Sequence, residues 1–428
     1  MSLTAFVWAL LYGAALFGAF ANPILGLFGY LLEYFQRPDL YWWGNDLPDL
    51  RWNFTIGAAA AVAYLLRRSS LEPFRRTTMV PLVLLLAQAV NTSIVTIWAI
   101  SPELSIRWST AYWKLVITFA LFSGIVRNVR GLELVLLFQI IGAAYWGWDA
   151  LDARRTGTRM EGIGSGDTLN SNLLAAHLLT IIPITIVFSL MKGPRWLRGI
   201  AVASTPLIVN LLILCNSRGA TVGFGVAGAA SIFLVRSGLR KRVLIGAAVG
   251  GLALLFLADP QFVRRQQTIG DPTDQSATSR LEIWAGAARM VADYPFGVGG
   301  RGFHILSPRY VPYLEEEGDD GRSAHNMYIQ IAADWGIQGL VLFLAFIGYV
   351  FTMLHRVRRE RTVADRPYFI SLGLELGLVA TLTAAFFSVR FYGESLYWLC
   401  GLSTALYCMT SAEAKSEQTT LGGERVAA

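Results

Sequence analysis

From Gly199 to Val235 the chain reads GIAVASTPLIVNLLILC, then NSR, then GATVGFGVAGAASIFLV. Two runs of apolar and small residues are thus joined by Asn216-Ser217-Arg218, and neither run carries a charge. At about 1.5 Å per residue each run extends about 25 Å, close to the roughly 30 Å of a bilayer's hydrocarbon layer. Inside hydrocarbon every backbone N–H and C=O must be satisfied within the protein, so this pattern specifies a pair of membrane helices with a three-residue turn. Working outward, Met79–Ile100, Val243–Ala258 and Gly336–Leu354 are equally free of charge, and Phe369–Val389 is interrupted only by Glu375. The 428 residues are 54% hydrophobic and only 15% charged, far too few charges for a soluble chain of this length.

Twelve spans account for the pattern: 3–20, 52–66, 79–99, 109–126, 132–148, 172–190, 199–215, 219–235, 243–258, 328–354, 369–389 and 393–410. The fold class is an all-α integral membrane protein. Helices 1–9 lie within 1–258, a large loop occupies 259–327, helices 10–12 fall in 328–410, and 411–428 forms a polar tail expected to be disordered. The net charge of +7 comes almost wholly from arginine; Lys114, Lys192, Lys241 and Lys415 are the only lysines. Its distribution argues against nucleic acid, because the charges cluster between apolar runs. Arg67/Arg68/Arg75/Arg76, Arg127/Arg130, Lys192/Arg195/Arg198, Arg236/Arg240/Lys241/Arg242 and Arg356/Arg358/Arg359/Arg361/Arg366 all fall on one side in the twelve-span reading. By the positive-inside rule that side is cytoplasmic, and both termini face it. Arg154, Arg155 and Arg159 land on the other side and run against the rule. The stretch Pro23–Phe35, broken by Glu33, reads as a re-entrant or interfacial segment on the outer side. Cys215, Cys400 and Cys408 are scattered, offering neither a disulfide framework nor a zinc pattern.

The long outer loop holds Arg264, Arg265, Arg280, Arg289, Arg301, Arg309 and Arg322 and no lysine. Planar guanidinium groups bind phosphate with two parallel hydrogen bonds, so this surplus suggests a phosphate-bearing ligand. The competing use is salt bridging to Glu315–Glu317, Asp319 and Asp320. Ser279-x-x-Glu282 has the form of a capping box, and Leu281, Trp284, Ala288 and Val291 recur at helical spacing. An amphipathic helix over 280–293 follows, with Arg280 near the edge of the apolar stripe and Arg289 on the opposite face. Arg218 sits in the turn between two spans, where an unpartnered charge is costly and functional by default. Among four histidines, His177 reads as a packing residue within a span and His355 as solvated. His304 follows the turn Phe296–Phe303. His325 precedes a long helix, whose N-terminus keeps an imidazole neutral and able to accept a proton.

At these residues the sequence resembles the O-antigen ligase family, membrane glycosyltransferases of the GT-C type. Three signatures carry the likeness. They are Asn216-Ser217-Arg218-Gly219, Arg280-x-x-x-Trp284 leading through Asp293-Tyr294-Pro295-Phe296-Gly297-Val298-Gly299, and His325-Asn326-x-Tyr328 running to Trp335-Gly336-x-x-Gly339. The resemblance implies an inner-membrane enzyme with its site in a periplasmic loop, needing no cofactor or metal. Its donor would be an undecaprenyl-diphosphate-linked glycan and its acceptor a hydroxyl of lipid A–core. It further implies that Arg218 and Arg280 hold the diphosphate and that His325 is catalytic; Arg265, Arg301, Arg309 and His304 are further candidates for substrate contact. Repeat-unit polymerases and protein O-oligosaccharyltransferases are the alternatives. A polysaccharide transporter or flippase ranks below them, because most spans are uninterrupted and the notable charges gather at one face.

If Arg280 makes two parallel phosphate contacts, Arg280→Lys should lower transfer by about 10²–10³-fold despite keeping its charge. Arg289→Lys, on the other helical face, should retain activity. Rates at matched expression test this, and a near-normal Arg280→Lys enzyme would remove the bidentate role.

Overall fold

A computed structural model describes residues 1–67, 76–152, 159–168, 170–245, 260–267, 275–316, 321–362 and 365–426. The described residues form helices and connecting turns. They are α1 (Leu3–Ala21), α2 (Pro23–Phe35), α3 (Trp52–Leu66), α4 (Arg76–Val95), α5 (Pro102–Ile125), α6 (Val129–Asp152), α7 (Ser171–Leu190), α8 (Arg195–Cys215), α9 (Arg218–Leu234), α10 (Pro260–Gln267), α11 (Gln275–Asp293), α12 (Gly302–Tyr310), α13 (Pro312–Glu316), α14 (Met327–Glu360), α15 (Arg366–Ala384) and α16 (Glu394–Val426). Among the described residues seven helices are long and apolar enough to cross a membrane, with α3 and α9 shorter but apolar. The protein is therefore an all-helical, multi-pass membrane protein. Most of the span expected at 243–258 lies outside the described residues, as do Arg68, Arg75, Arg154, Arg155 and Asp319. α16 continues through the tail expected to be disordered, as far as Val426, a stretch rich in the helix formers Ala, Glu, Lys and Gln.

The helix pairings define two ends of the bundle. At one end the Ser2 N–H donates to Asp46 (2.6 Å) and Tyr41 donates to Asp149 at the end of α6 (2.9 Å). At the other end Arg67 donates to the Phe20 carbonyl (3.0 Å), and Asn22, Pro23 and Ile24 share a cavity with Ile125, Arg127 and Asn128. This corrects the reading of Pro23–Phe35 as a segment confined to the outer side. α2 returns through the bundle against α1, with Gly26 packed on Ala19 and Ala60, and Gly29 on Ala15 and Ile56. Small residues at those crossings let the three backbones approach closely, and Glu33 is accommodated by a hydrogen bond from Asn53 (2.8 Å). Ser2 consequently lies at the end of the bundle opposite Arg67. Thr410, whose carbonyl accepts from Arg361 (3.0 Å), lies at the Arg67 end, so the expected placement of both termini on one side does not hold.

Charges at the Arg67 end are paired across helices. Arg358 donates to Glu375 (2.8 Å) and to the Leu234 carbonyl (2.5 Å), which explains the single acidic interruption in the Phe369–Val389 run. Arg366 pairs with Glu133. Buried pairs of this kind add little net stability, but losing one partner strands a charge at high cost.

The opposite end carries the site. α11 begins at Gln275, so Ser279 lies inside the helix instead of capping it. Its buried face is Ile283, Ala287 and Met290, while Leu281 is 62% exposed. The apolar stripe is thus rotated from the expected Leu281/Trp284/Ala288/Val291 set. Gly286 decides this: a side chain there would strike Tyr310 and Val311, so α12 and the turn after it seat against that face. The turn 294–302 docks on α14, whose helix is broken at Gly336 (φ 81°, ψ 168°). Gly299 N–H donates to the Asp334 carbonyl (2.9 Å) and Ile337 N–H to Pro295 (2.9 Å). Gly297 also has positive φ (83°), and a side chain on it would run into the Asp334–Gly336 backbone. Two of the sequence signatures are therefore halves of one joint.

Single cysteines at Ser2 and Asp46 should react with an impermeant thiol reagent from the same side of the membrane, and a cysteine at Arg67 from the other. Joint labelling of Ser2 and Arg67 would show that α2 does not return through the bundle.

Candidate active site

Arg218 is the first residue of α9. Asn216 ends α8 in the left-handed conformation (φ 48°), and Ser217 caps α9 by accepting the Ala220 N–H (3.4 Å). Ser217 Oγ also donates to Asn172 Oδ1 (2.9 Å), at the start of α7. The same oxygen accepts from Arg159 Nη2 (2.5 Å), while Arg159 Nε reaches the Cys215 carbonyl (3.5 Å). Arg159 is thereby strapped to the turn that carries Arg218. Its pKa is held below the ordinary arginine value, first by partial burial, then by the like charge of Arg265, with Arg280 adding a smaller push and Glu161 opposing. Guanidinium groups from three separate segments, on the connection before α7, on α10 and on α11, thus share one neighbourhood.

Arg280 also reaches the histidine. Trp284 stands one turn beyond it on α11, and its indole N–H donates to the Ala324 carbonyl (2.9 Å), adjacent to His325. Residues four apart share a helix face, so this bond brings Arg280 over the segment 322–325. His325 is solvent-accessible, with a left-handed backbone (φ 47°). Its imidazole titrates below the usual value, first because of its partly dehydrated surroundings, then because of Arg280 and Arg322. Screening of the exposed ring tempers the two charge effects. Asn326, not His325, caps α14, accepting the N–H groups of Tyr328 (3.0 Å) and Ile329 (3.2 Å). The His325 side chain therefore takes no part in capping the helix.

Arg218 and His325 approach the connection 385–393 from two sides. Gly219 packs on Phe387, and the Met327 N–H donates to the Ala385 carbonyl (2.8 Å). The remaining candidates lie elsewhere on the loop. Arg301 is exposed at φ 64° before α12, Arg309 is exposed in its last turn, and His304 is half-buried in its first. None of these three is among the charges acting on Arg159 or His325. Arg289 donates to the Tyr310 carbonyl (2.7 Å) on the α12 side of α11. His177 is buried and pairs with Tyr34 (3.3 Å), as its packing role requires. The sequence reading singled out neither Arg159 nor Asn172 as site candidates, and named Arg322 only within the loop's surplus of arginines. Arg159 had a visible signal, since it broke the orientation rule.

A multi-pass helical protein that gathers arginines near a histidine at one end of its bundle presents a cationic region suited to anionic groups. Comparison with known proteins narrows this. Residues 201–344 match the family described as O-antigen ligase. Over 233 residues, 54% of this chain and 52% of its relative, the sequence is 28% identical to the O-antigen ligase of Pseudomonas aeruginosa. It is 24% identical over 220 residues to the teichuronic acid biosynthesis protein TuaE of Bacillus subtilis, covering 47% of this chain and 42% of that protein. Residues 201–344 thus resemble the O-antigen ligase family, and the match spans about half the length of each of these relatives. Arg218, Arg265, Arg280 and His325 fall inside the matched region, and Arg159 outside it.

Hydrogen bonds to charged groups contribute about 1.5–3 kcal/mol. Arg159→Gln should therefore weaken binding of inorganic pyrophosphate to the detergent-solubilised protein by about 10-fold or more, and Arg301→Gln should leave it unchanged. Isothermal titration reads both, and equal losses would dissolve the distinction between the cluster and the rest of the loop.

Proposed function

We propose that the protein is a glycosyltransferase that moves a glycan from undecaprenyl diphosphate to a sugar hydroxyl of lipid A–core, at the periplasmic face of the bacterial inner membrane. One arrangement carries the reading: the Trp284–Ala324 bond sets Arg280, one turn earlier on α11, over His325, and the charge of Arg280 also bears on Arg159. Arg218, Arg280 and Arg159 hold the diphosphate, with Arg265 beside them. His325 Nδ1 or Nε2 accepts the proton of the acceptor hydroxyl as its oxygen attacks the anomeric carbon. The bond from that carbon to the phosphate oxygen breaks, and its electron pair leaves with the diphosphate. Negative charge grows on the leaving group, and guanidinium groups already in place stabilise it without reorganising. A single displacement inverts the anomeric centre. In this reading arginines perform the charge neutralisation for which other transferases use a metal. The basic clusters at the Arg67 end face the cytoplasm, which sets the site end outward.

A repeat-unit polymerase would use the same donor chemistry with a second lipid-linked glycan as acceptor, and a protein O-oligosaccharyltransferase would use a serine or threonine hydroxyl. The deciding experiment offers purified protein a lipid-diphosphate-linked glycan with lipid A–core, with a second lipid-linked glycan, or with an acceptor protein, and resolves the products by mass. Activity should be lost as pH falls through a value below 6.5, because His325 is neutral above its lowered pKa and unable to accept a proton below it. His325→Ala should abolish transfer while sparing donor binding, and EDTA should have no effect. Inhibition by EDTA that added metal reverses would refute the arginine-only mechanism.

A further inference from the structure

Arg390 and Asp167 form a charged pair that neither the sequence signatures nor the matched family region includes. Arg390 is 1% exposed. Its Nη1 donates to the Asp167 main-chain carbonyl (3.0 Å), and its Nη2 lies 3.5 Å from Asp167 Oδ2 and 3.0 Å from Ser395 Oγ. Asp167 is gripped from two more directions, accepting from the Tyr34 hydroxyl (2.6 Å) and the Glu394 N–H (3.3 Å). Glu394 in turn accepts from Tyr30 (2.6 Å). A buried arginine with this many specific partners is expensive to assemble, and replacement by apolar residues would often cost no stability. Stability alone is therefore a weak reason for the pair, and its position supplies a better one.

The connection 385–394 touches each part of the site. Ala385 holds the start of α14 two residues beyond His325, and Phe386 packs on Tyr328 with ring centroids 4.5 Å apart. Phe387 covers Gly219 beside Arg218, and the Tyr392 hydroxyl accepts from Trp335 (2.9 Å) at the break in α14. The segment 159–168 is attached to this connection at Asp167, while its other end carries Arg159. We infer that Arg390 and Asp167 are positioning residues, a latch that fixes the distance between the arginines on the α7–α9 side and His325 on the α14 side. The catalytic part of this inference rests on the function proposed above; the mechanical part does not.

Two readouts separate those parts. Hydrogen exchange of segment 159–168 in detergent-solubilised, full-length protein should accelerate in Asp167→Asn and in Arg390→Lys, with α7 and α15 unchanged. The double variant should exchange no faster than the singles, because both remove one interaction. In the transfer assay kcat should fall by up to about 10²-fold, the loss expected for a misplacement near 1 Å. Donor KM should change less than kcat, since Arg218 and Arg280 keep their own supports and Asn172 and the Cys215 carbonyl still tie Arg159. Arg390→Lys, which retains the charge, should recover part of the rate lost in Arg390→Gln. If Arg390→Gln fails to fold, the two milder variants still decide the question. Unchanged exchange in 159–168 overturns the latch whatever the enzyme does. Faster exchange with unaltered kcat overturns its catalytic purpose. Absence of transfer by the wild-type protein would count against the proposed reaction alone, leaving the exchange result to stand.

Discussion

Like charges held together at the edge of an apolar bundle repel one another, and this repulsion is the constraint around which the site end is organised. Around Arg159 the like charges of Arg265 and Arg280 add to burial in lowering the proton affinity. Such crowding persists only if each guanidinium is tied to something rigid. Asn172 and the Cys215 carbonyl tie Arg159, the α8–α9 turn fixes Arg218, and the Trp284–Ala324 bond sets α11 over His325. A region so crowded with positive charge attracts anionic groups.

The two ends of the bundle use charge differently. At the Arg67 end Arg358 and Arg366 meet Glu375 and Glu133 in direct pairs. At the site end the deeply buried Arg390 is matched by Asp167, while Arg159 is anchored by amide and carbonyl oxygens. Neutral acceptors orient a guanidinium without cancelling its charge. That choice of partner keeps the positive field available to a ligand.

Much of this was legible in the sequence, and the exceptions are instructive. Span positions followed from apolar runs, because hydrocarbon leaves the backbone few options. Arg218, Arg280 and His325 stood out as charged or titratable groups at helix ends. α2 was misread because 13 residues cover only about 20 Å and Glu33 interrupts them; neither fact reveals that glycines let it nest between α1 and α3. The face of α11 was misjudged because two overlapping apolar stripes exist, and a contact with α12, distant in periodicity terms, selects between them. Arg390 sits in an aromatic-rich connection whose importance lies wholly in what it touches, and no local pattern encodes that.

The break at Gly336 has a bearing on how the molecule is made. It releases the Asp334 and Trp335 carbonyls from helical bonding, and they accept instead from Gly299 and from Asn91 on α4 (3.0 Å). Val298 adds a bond to Ile100 near the start of α5 (3.0 Å). The turn 294–302 is thus completed by one segment synthesised long before it and another synthesised after it. It cannot reach its final shape until α14 has left the ribosome and entered the bilayer. The turn that joins α11 to the later helices is therefore among the last parts of the molecule to consolidate, after much of the preceding bundle has been made.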